Sequence, residues 1–325
     1  MTPLYPLQFE LTGMTQSYLW GGNRLKILVS GYSQEQPLAE IWAVSDRPGD
    51  DRVSVVANGP LAGTSLHQLT KDYGAMLLGK ASAVNGKFPL LLKLLDARES
   101  LSVQVHPAIQ TADGEPKTEA WLLLDGTTRT ATITAGLHSA ASSDELRSAI
   151  TNNTLQPLLH TIPVRSGDCM FVPSGRLHAI GAGCLMLEIQ ENSNTTYRLY
   201  DWQRVDQVTQ ATRPLQIEQA LSSLNTSDVQ PSLVTPLPLE SSDGEVLIDC
   251  PQFRVERWTV EKTVTHQPTH SFEIITCISG QLTLRGASTE LPLSVFSTAL
   301  IPASVPGYEI SGSGSYSRIF VPSTV

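Results

Sequence analysis

Apolar residues arrive along this chain in short runs broken by Gly, Pro, Asp and Asn. Phe88-Pro89-Leu90-Leu91-Leu92-Lys93-Leu94-Leu95, Trp121-Leu122-Leu123-Leu124 and Leu185-Met186-Leu187-Glu188-Ile189-Gln190 are three of them. Runs of this length between turn formers predict strands. Their rhythm predicts a mainly β protein built as a sandwich or barrel. Helical spacing is confined to roughly 64–78, 142–152 and 215–224, the second opened by Ser142 and Glu145 at the separation of a capping box. These helices are expected to decorate a β core.

From 226 to 243 the pattern lapses into small polar residues with Pro231, Pro236 and Pro238, which favours an extended linker. The chain is therefore divided into residues 1–225, a linker at 226–243 and a second unit at 244–325. In the second unit Gly280 and Ser311-Gly312-Ser313-Gly314-Ser315 are expected to mark turns. A weak repeat relates the two units. Glu119 precedes Gly126 at the separation by which Glu273 precedes Gly280, and Pro173 with His178 has a partial counterpart in Pro302 with Val305. Valine stands there where the first unit has histidine. His266 and His270, four apart on an expected strand, lack a further histidine to complete a second site.

The first unit carries candidate chemistry. In a strand, residues two apart share a face, so Gln104 and His106 look one way, as do Lys117 and Glu119. His178 follows Pro173-Ser174-Gly175, a turn that would bring a second imidazole to the same point. Two imidazoles, a carboxylate and an amide oxygen suit zinc or a neighbouring first-row ion with a position left open. Taken singly, each has a plainer reading: Gln104 and His106 as polar positions on a solvent-facing strand, Glu119 as a surface carboxylate, His178 as a turn histidine. Their combination carries the metal expectation.

Composition narrows the rest. At 325 residues with 41% hydrophobic content the chain can bury a sizeable core, and a net charge of −9 argues against broad nucleic-acid binding. An anionic substrate would need a local cationic pocket. Cys169, Cys184, Cys250 and Cys277 form no CxxC pair, so neither a thiolate zinc site nor a redox dithiol is expected. There is no apolar run of membrane-spanning length and no signal-like start; a cytoplasmic protein, monomer or homodimer, without nucleic-acid or membrane partners is the expectation. No Gly-rich phosphate loop or nucleophile elbow suggests a kinase or serine hydrolase.

The ligand spacings resemble the two short motifs of the cupin jelly roll, which implies two cupin-like jelly-roll barrels or sandwiches with a few peripheral helices, the second without a metal. Trp20-Gly21-Gly22, Glu40-Ile41-Trp42, the run from Phe88 to Ala97, Leu187-Glu188-Ile189-Gln190 and Thr196-Tyr197-Arg198-Leu199-Tyr200-Asp201-Trp202 stand in order around the metal set. Together they resemble the type I mannose-6-phosphate isomerases of the short bacterial kind. The resemblance implies a zinc-dependent aldose-ketose isomerase acting on mannose 6-phosphate and fructose 6-phosphate. It also implies one Zn2+ on Gln104, His106, Glu119 and His178, and an essential arginine at Arg198.

Such a reaction moves a proton between neighbouring carbons through an enediol, so it needs electrostatic stabilisation of two oxygens and a base. Arg198 can offer planar donors, unless it is tied up as an ion pair with Asp201. Glu188 is the first candidate base, with metal-bound water a rival, and a role orienting a ligand is its plainer alternative. Lys117 joins the catalytic set. Lys93, Arg204 and Ser102, with Lys117, are the candidates for the substrate phosphate; Lys93 otherwise reads as a strand-end lysine snorkelling to solvent. Trp20, Trp42, Trp121 and Trp202 are expected to pack rather than stack on sugar. Competing readings are an isomerase of another sugar phosphate, a non-catalytic sugar-binding cupin and a cupin dioxygenase.

Overall fold

A strand buried on both faces must separate two cores, and Leu90–Asp96 is buried along its whole length. Leu92 and Leu94 enter one apolar cluster and Leu95 another. The computed structural model describes residues 2–205, 211–240 and 243–322. In it this strand sits inside a six-stranded antiparallel sheet, ordered Cys169–Val172, Glu119–Leu123, Leu185–Glu191, Leu90–Asp96, Glu40–Val44 and Thr15–Gln16. A five-stranded sheet faces it, ordered Leu159–Pro163, Thr132–Leu137, His178–Ile180, Val103–Val105 and Tyr197–Tyr200. Trp121, Leu123 and Met186 from the first sheet share a core with Ile133, Ala135 and Ile180 from the second, which makes a sandwich.

The helices lie outside. Ser143–Thr151 opens with the expected capping box, in which the Ser142 hydroxyl accepts the Glu145 N–H and the Glu145 carboxylate accepts the Ser142 N–H. Leu146 and Ile150, with Ala220 and Leu221 from Ile217–Ser223, cover the outer face of the five-stranded sheet. The helix expected at 64–78 is two helices, Leu66–Tyr73 and Ala75–Leu78, meeting at Gly74.

The remaining large sheet has nine strands. Its path runs Leu7–Gln8, Thr298–Ile301, Glu273–Gly286, Tyr308–Phe320, Arg254–Val260, Gly244–Asp249 and Leu237–Pro238, with Thr289–Ser294 and Val264–His266 paired alongside. The N-terminal strand thus completes the C-terminal sheet, Leu7 opposite Leu300. Phe272, Ile274 and Ile319 share a cluster with Leu92, Leu94 and Leu187, so the second sheet covers the back of the first sandwich. The proline-rich segment is extended but tied down: Val229 bridges Leu137, Asp228 pairs with Arg176, and the Val234 N–H donates to the Cys169 carbonyl. Ser241 and Ser242, at the end of the expected linker, lie outside the described residues.

Two expectations fail here. Gly280, Gly312 and Gly314 mark no turns; they lie within the long strands Glu273–Gly286 and Tyr308–Phe320. The backbones approach so closely there that a Cβ on Gly280 or Gly314 would stand 2.0 Å from a carbonyl oxygen of the facing strand, so glycine serves contact rather than reversal. His266 and His270 do not share a strand face either, because their strand ends at His266. His266 is buried, with Nε2 2.5 Å from the Tyr316 hydroxyl. Beside it Arg318 joins Glu273 at 2.6 Å and Glu256 at 3.2 Å, and Tyr308 donates to Glu273. A satisfied ion network fills the interior of this unit.

Candidate metal centre and active site

Period-two alternation aims the chemistry inward. On the six-stranded sheet Ala120, Leu122, Leu187 and Ile189 face the shared core, so Glu119, Trp121 and Glu188 face the other way. Register then lines up Trp121, Glu188, Lys93 and Trp42 as one row across four strands. On the opposing sheet Arg198, Gln104 and His178 form a row across three. A cavity between the rows is lined by Glu40, Lys93, Gln104, Lys117, Glu119, His178, Glu188 and Arg198, together with the buried Trp20; Tyr18, Asn194, Thr196 and Arg213 line its more exposed side, the mouth.

His106, Glu119 and His178 are buried and converge, their ligand atoms all within 4.8 Å of one another. His106 Nε2 is 3.5 Å from Glu119 Oε2, and His178 Nε2 is 3.6 Å from Glu119 Oε1. The His178 Nδ1–H donates to the Arg176 carbonyl at 2.9 Å, which leaves Nε2 as the free lone pair. The Trp121 indole donates to Glu119 Oε1 at 3.0 Å. Gln104 Nε2 donates to Ser102 Oγ at 3.0 Å, so its amide oxygen is the atom left to act as a ligand.

The donor set fits a metal ion by a direct test. Both ring nitrogens of His106 are buried without a hydrogen-bond partner, a cost of about 1–3 kcal/mol apiece if nothing else were to engage them. Glu119 Oε2 also accepts no aligned hydrogen bond, although Lys117 Nζ stands 2.7 Å away. Protonation states agree. Burial, reinforced by Lys117, pushes His106 down to about 3, and burial lowers His178 as well. Burial opposes the Glu119 charge, yet Lys117 and the two histidines hold its carboxyl well below the usual range. Neutral imidazoles beside an ionised carboxylate are the forms that bind a divalent ion.

Lys93 does not reach solvent. It is buried over the Trp42 ring at 4.8 Å, 3.7 Å from Glu40 and 3.4 Å from Glu188. Burial alone would lower it, but Glu40, Glu188 and Glu119 raise it. Glu188 is itself raised, first by burial and then by Glu119 and Glu40 against the pull of Lys117 and Lys93, and its Oε1 accepts no hydrogen bond.

Arg198 is not paired with Asp201. Its Nε donates to Ser102 Oγ at 3.1 Å and its Nη1 to the Pro214 carbonyl at 3.0 Å. Ser102 thus stands one step behind the wall, holding both Arg198 and Gln104. Arg204 is not brought to this cavity. It is held by Asp201 and the Ser100 carbonyl and lines neighbouring clefts. Glu40 and Arg213 were missed by sequence reasoning. For Glu40 a signal existed: Glu40 and Trp42, Glu119 and Trp121, and Glu256 and Trp258 repeat one device, an indole donating to a buried carboxylate two residues earlier on its strand. Arg213, among polar residues before Pro214, gives no such signal.

Residues 8–120 match the family described as phosphomannose isomerase type I, catalytic domain, and residues 244–321 match mannose-6-phosphate isomerase, cupin domain. A mannose-6-phosphate isomerase of Streptococcus mutans serotype c is 35% identical over 90% of this chain and 92% of its own. The chain belongs to the type I mannose-6-phosphate isomerase family. Among solved structures, the mannose 6-phosphate isomerase from Bacillus subtilis superposes with a TM-score of 0.86 at 30% identity, covering 97% of this chain and 99% of that one. A zinc-bound mannose 6-phosphate isomerase shares the fold at a TM-score of 0.76 and 18% identity, covering 98% of this chain and 100% of its own. Members of this family are thus similar to the chain along almost its whole length, both halves included. No helix among the described residues is long and apolar enough to cross a membrane.

Proposed function

We propose that this chain interconverts mannose 6-phosphate and fructose 6-phosphate, with one zinc ion held by Gln104, His106, Glu119 and His178. The observation that carries the reading is the buried cluster of His106, Glu119 and His178, with both His106 nitrogens unpartnered, facing Glu188 and two lysines across one cavity. Bound there, the ion would supply Lewis-acid polarisation of the sugar carbonyl and its neighbouring hydroxyl.

The chain's own residues account for the proton. Glu188 Oε1 accepts no hydrogen bond and the residue lines the cavity, and its raised affinity for a proton suits a group that accepts one from C2 and returns it to C1. Lys117 and Lys93, 3.9 and 3.4 Å from that oxygen, stabilise the carboxylate between transfers. Lys117 also steadies Glu119. Arg198 lines the cavity and keeps Nη2 free of protein partners among the described residues, a donor available to oxygens where charge develops. Trp20, stacked on Tyr18 with ring centroids 5.4 Å apart, closes one wall against water.

Residues 244–325 act in this reading as a packing partner that stiffens the six-stranded sheet. The four cysteines are free thiols, which supports work in a reducing compartment such as the cytoplasm. The test is Glu188→Gln in the zinc-loaded protein. Turnover of mannose 6-phosphate should fall by about 10²–10⁴ with zinc content unchanged, and retention of wild-type turnover would remove Glu188 as the base. A panel of other aldose and ketose phosphates tests the substrate; faster turnover of one of them would reassign it.

A further inference from the structure

The charges lining the cavity are not evenly distributed. Its floor holds two ammonium groups against three carboxylates: Lys93 lies between Glu40 and Glu188, and Lys117 between Glu119 and Glu188. Both cations are already engaged. Lys117 also touches a proposed metal ligand, so a phosphate seated on it would occupy the place where the reacting carbons must go.

The mouth has the opposite balance. Asp201, 6% exposed, accepts Arg213 Nε at 2.7 Å and Arg213 Nη2 at 2.5 Å, together with Arg204 Nη2 at 2.5 Å. One carboxylate thus serves two guanidiniums, and a third, Arg198, lines the same cavity with no carboxylate hydrogen-bonded to it among the described residues. The side-on pairing fixes the plane of Arg213 and leaves its Nη1 without a protein acceptor among the described residues. Arg213 and Arg198 are also locked together through the backbone. Arg198 Nη1 donates to the Pro214 carbonyl, the Arg198 N–H donates to Gln216 Oε1, and the Gln216 N–H donates to the Arg198 carbonyl. Both guanidiniums line the cavity, whereas Arg204 does not.

Resting on the isomerase reading above, we infer that Arg213, held by Asp201 and set beside Arg198, binds the 6-phosphate of the substrate at the cavity mouth. Planar, fixed guanidinium donors match phosphate oxygens in pairs. With the phosphate held there, C1 and C2 extend inward to Gln104, His178 and Glu188. Arg204 is a positioning residue that shares Asp201, and the lysines of the floor are left to the chemistry.

The experiment compares wild type, Arg213→Gln and Arg213→Lys, each zinc-loaded, with two readouts. In the first, Arg213→Gln should raise KM for mannose 6-phosphate at least tenfold while kcat stays within about threefold, and Arg213→Lys should recover part of the loss. The second needs no turnover: binding of inorganic phosphate, followed as protection against thermal unfolding, should weaken at least tenfold in Arg213→Gln. Arg204 remains on Asp201 in both variants, and equal melting temperatures without phosphate establish that the fold is intact. An Arg213→Gln protein with wild-type KM and wild-type phosphate protection overturns the inference. So does phosphate protection that survives Arg213→Gln and disappears in Lys117→Gln. Phosphate protection lost in Arg213→Gln, in a protein that turns over no mannose 6-phosphate, supports the anion site and defeats the isomerase reading instead.

Discussion

Replacing Trp121 with phenylalanine removes one hydrogen bond from behind the proposed metal centre while leaving every proposed ligand in place. Trp121 is fully buried, its indole N–H donates to Glu119 Oε1 at 3.0 Å, and its ring meets the His178 imidazole edge-on at 5.5 Å. A hydrogen bond to a buried charge is worth about 1.5–3 kcal/mol. Losing it frees Glu119 to rotate away from the geometry shared with both histidines. Loss of a group that orients a ligand weakens metal binding by about 10–100-fold, or roughly 1.4–2.7 kcal/mol, which falls within the same range. Zinc affinity measured by competition with a chromophoric chelator should therefore drop at least tenfold, and saturating zinc should restore most of the turnover. Trp42→Phe is the control. Its indole serves Glu40 at 2.8 Å, which is no ligand, so it should cost comparable stability with zinc affinity unchanged. Equal zinc affinities in the two variants would refute the argument that Trp121 orients Glu119.

Three further outcomes follow from the packing. Arg24→Ala removes the guanidinium that bonds the buried Asp96 carboxylate at 2.8 and 2.5 Å, and, with Arg24 itself partly exposed, should lower stability by about 3 kcal/mol in urea denaturation. Arg318→Met leaves Glu273 and Glu256 buried without their cation and should cost about 3–5 kcal/mol, read from the same denaturation midpoint. His266 gives stability a pH dependence. Burial first, and Arg318 second, push its folded pKa down to about 3, so between there and about 6.5 the unfolded chain binds the extra proton. Its contribution is complete above the unfolded pKa and is lost as pH falls, at about 1.4 kcal/mol per pH unit. The stability difference between wild type and His266→Gln should shrink from pH 7 to pH 5; a difference that grows or stays constant would contradict the assignment.

Much of the site was legible because alternation is a local signal. Once Leu92 and Leu94 must be buried, Lys93 must point to the other face, and the same argument aims Glu119 and Glu188 inward without knowledge of their neighbours. Alternation does not say which strands adjoin. That Glu188 lies between Lys93 and Trp121 depends on pairings between strands distant in sequence. The pairing of Leu7 with Leu300 is beyond any local pattern, which is why the N-terminal strand could not be assigned to the C-terminal sheet. Glycine misled for a related reason. Gly280 and Gly314 have the composition of a turn, but their lack of a side chain serves close contact between facing strands. Arg213, which sequence reasoning missed, was hidden because its place depends on long-range packing: Asp201 holds both Arg204 and Arg213, and only the path of the chain brings Arg213 and not Arg204 to this cavity.

The central claim, one catalytic ion on Gln104, His106, Glu119 and His178, is tested most directly by titrating zinc into chelator-stripped protein while following conversion of mannose 6-phosphate to fructose 6-phosphate. Turnover should be absent without metal, rise to saturation at one equivalent per chain, and fail to rise in His178→Ala. Stripped protein that isomerises at the zinc-loaded rate, or a His178→Ala protein that titrates like wild type, would contradict it.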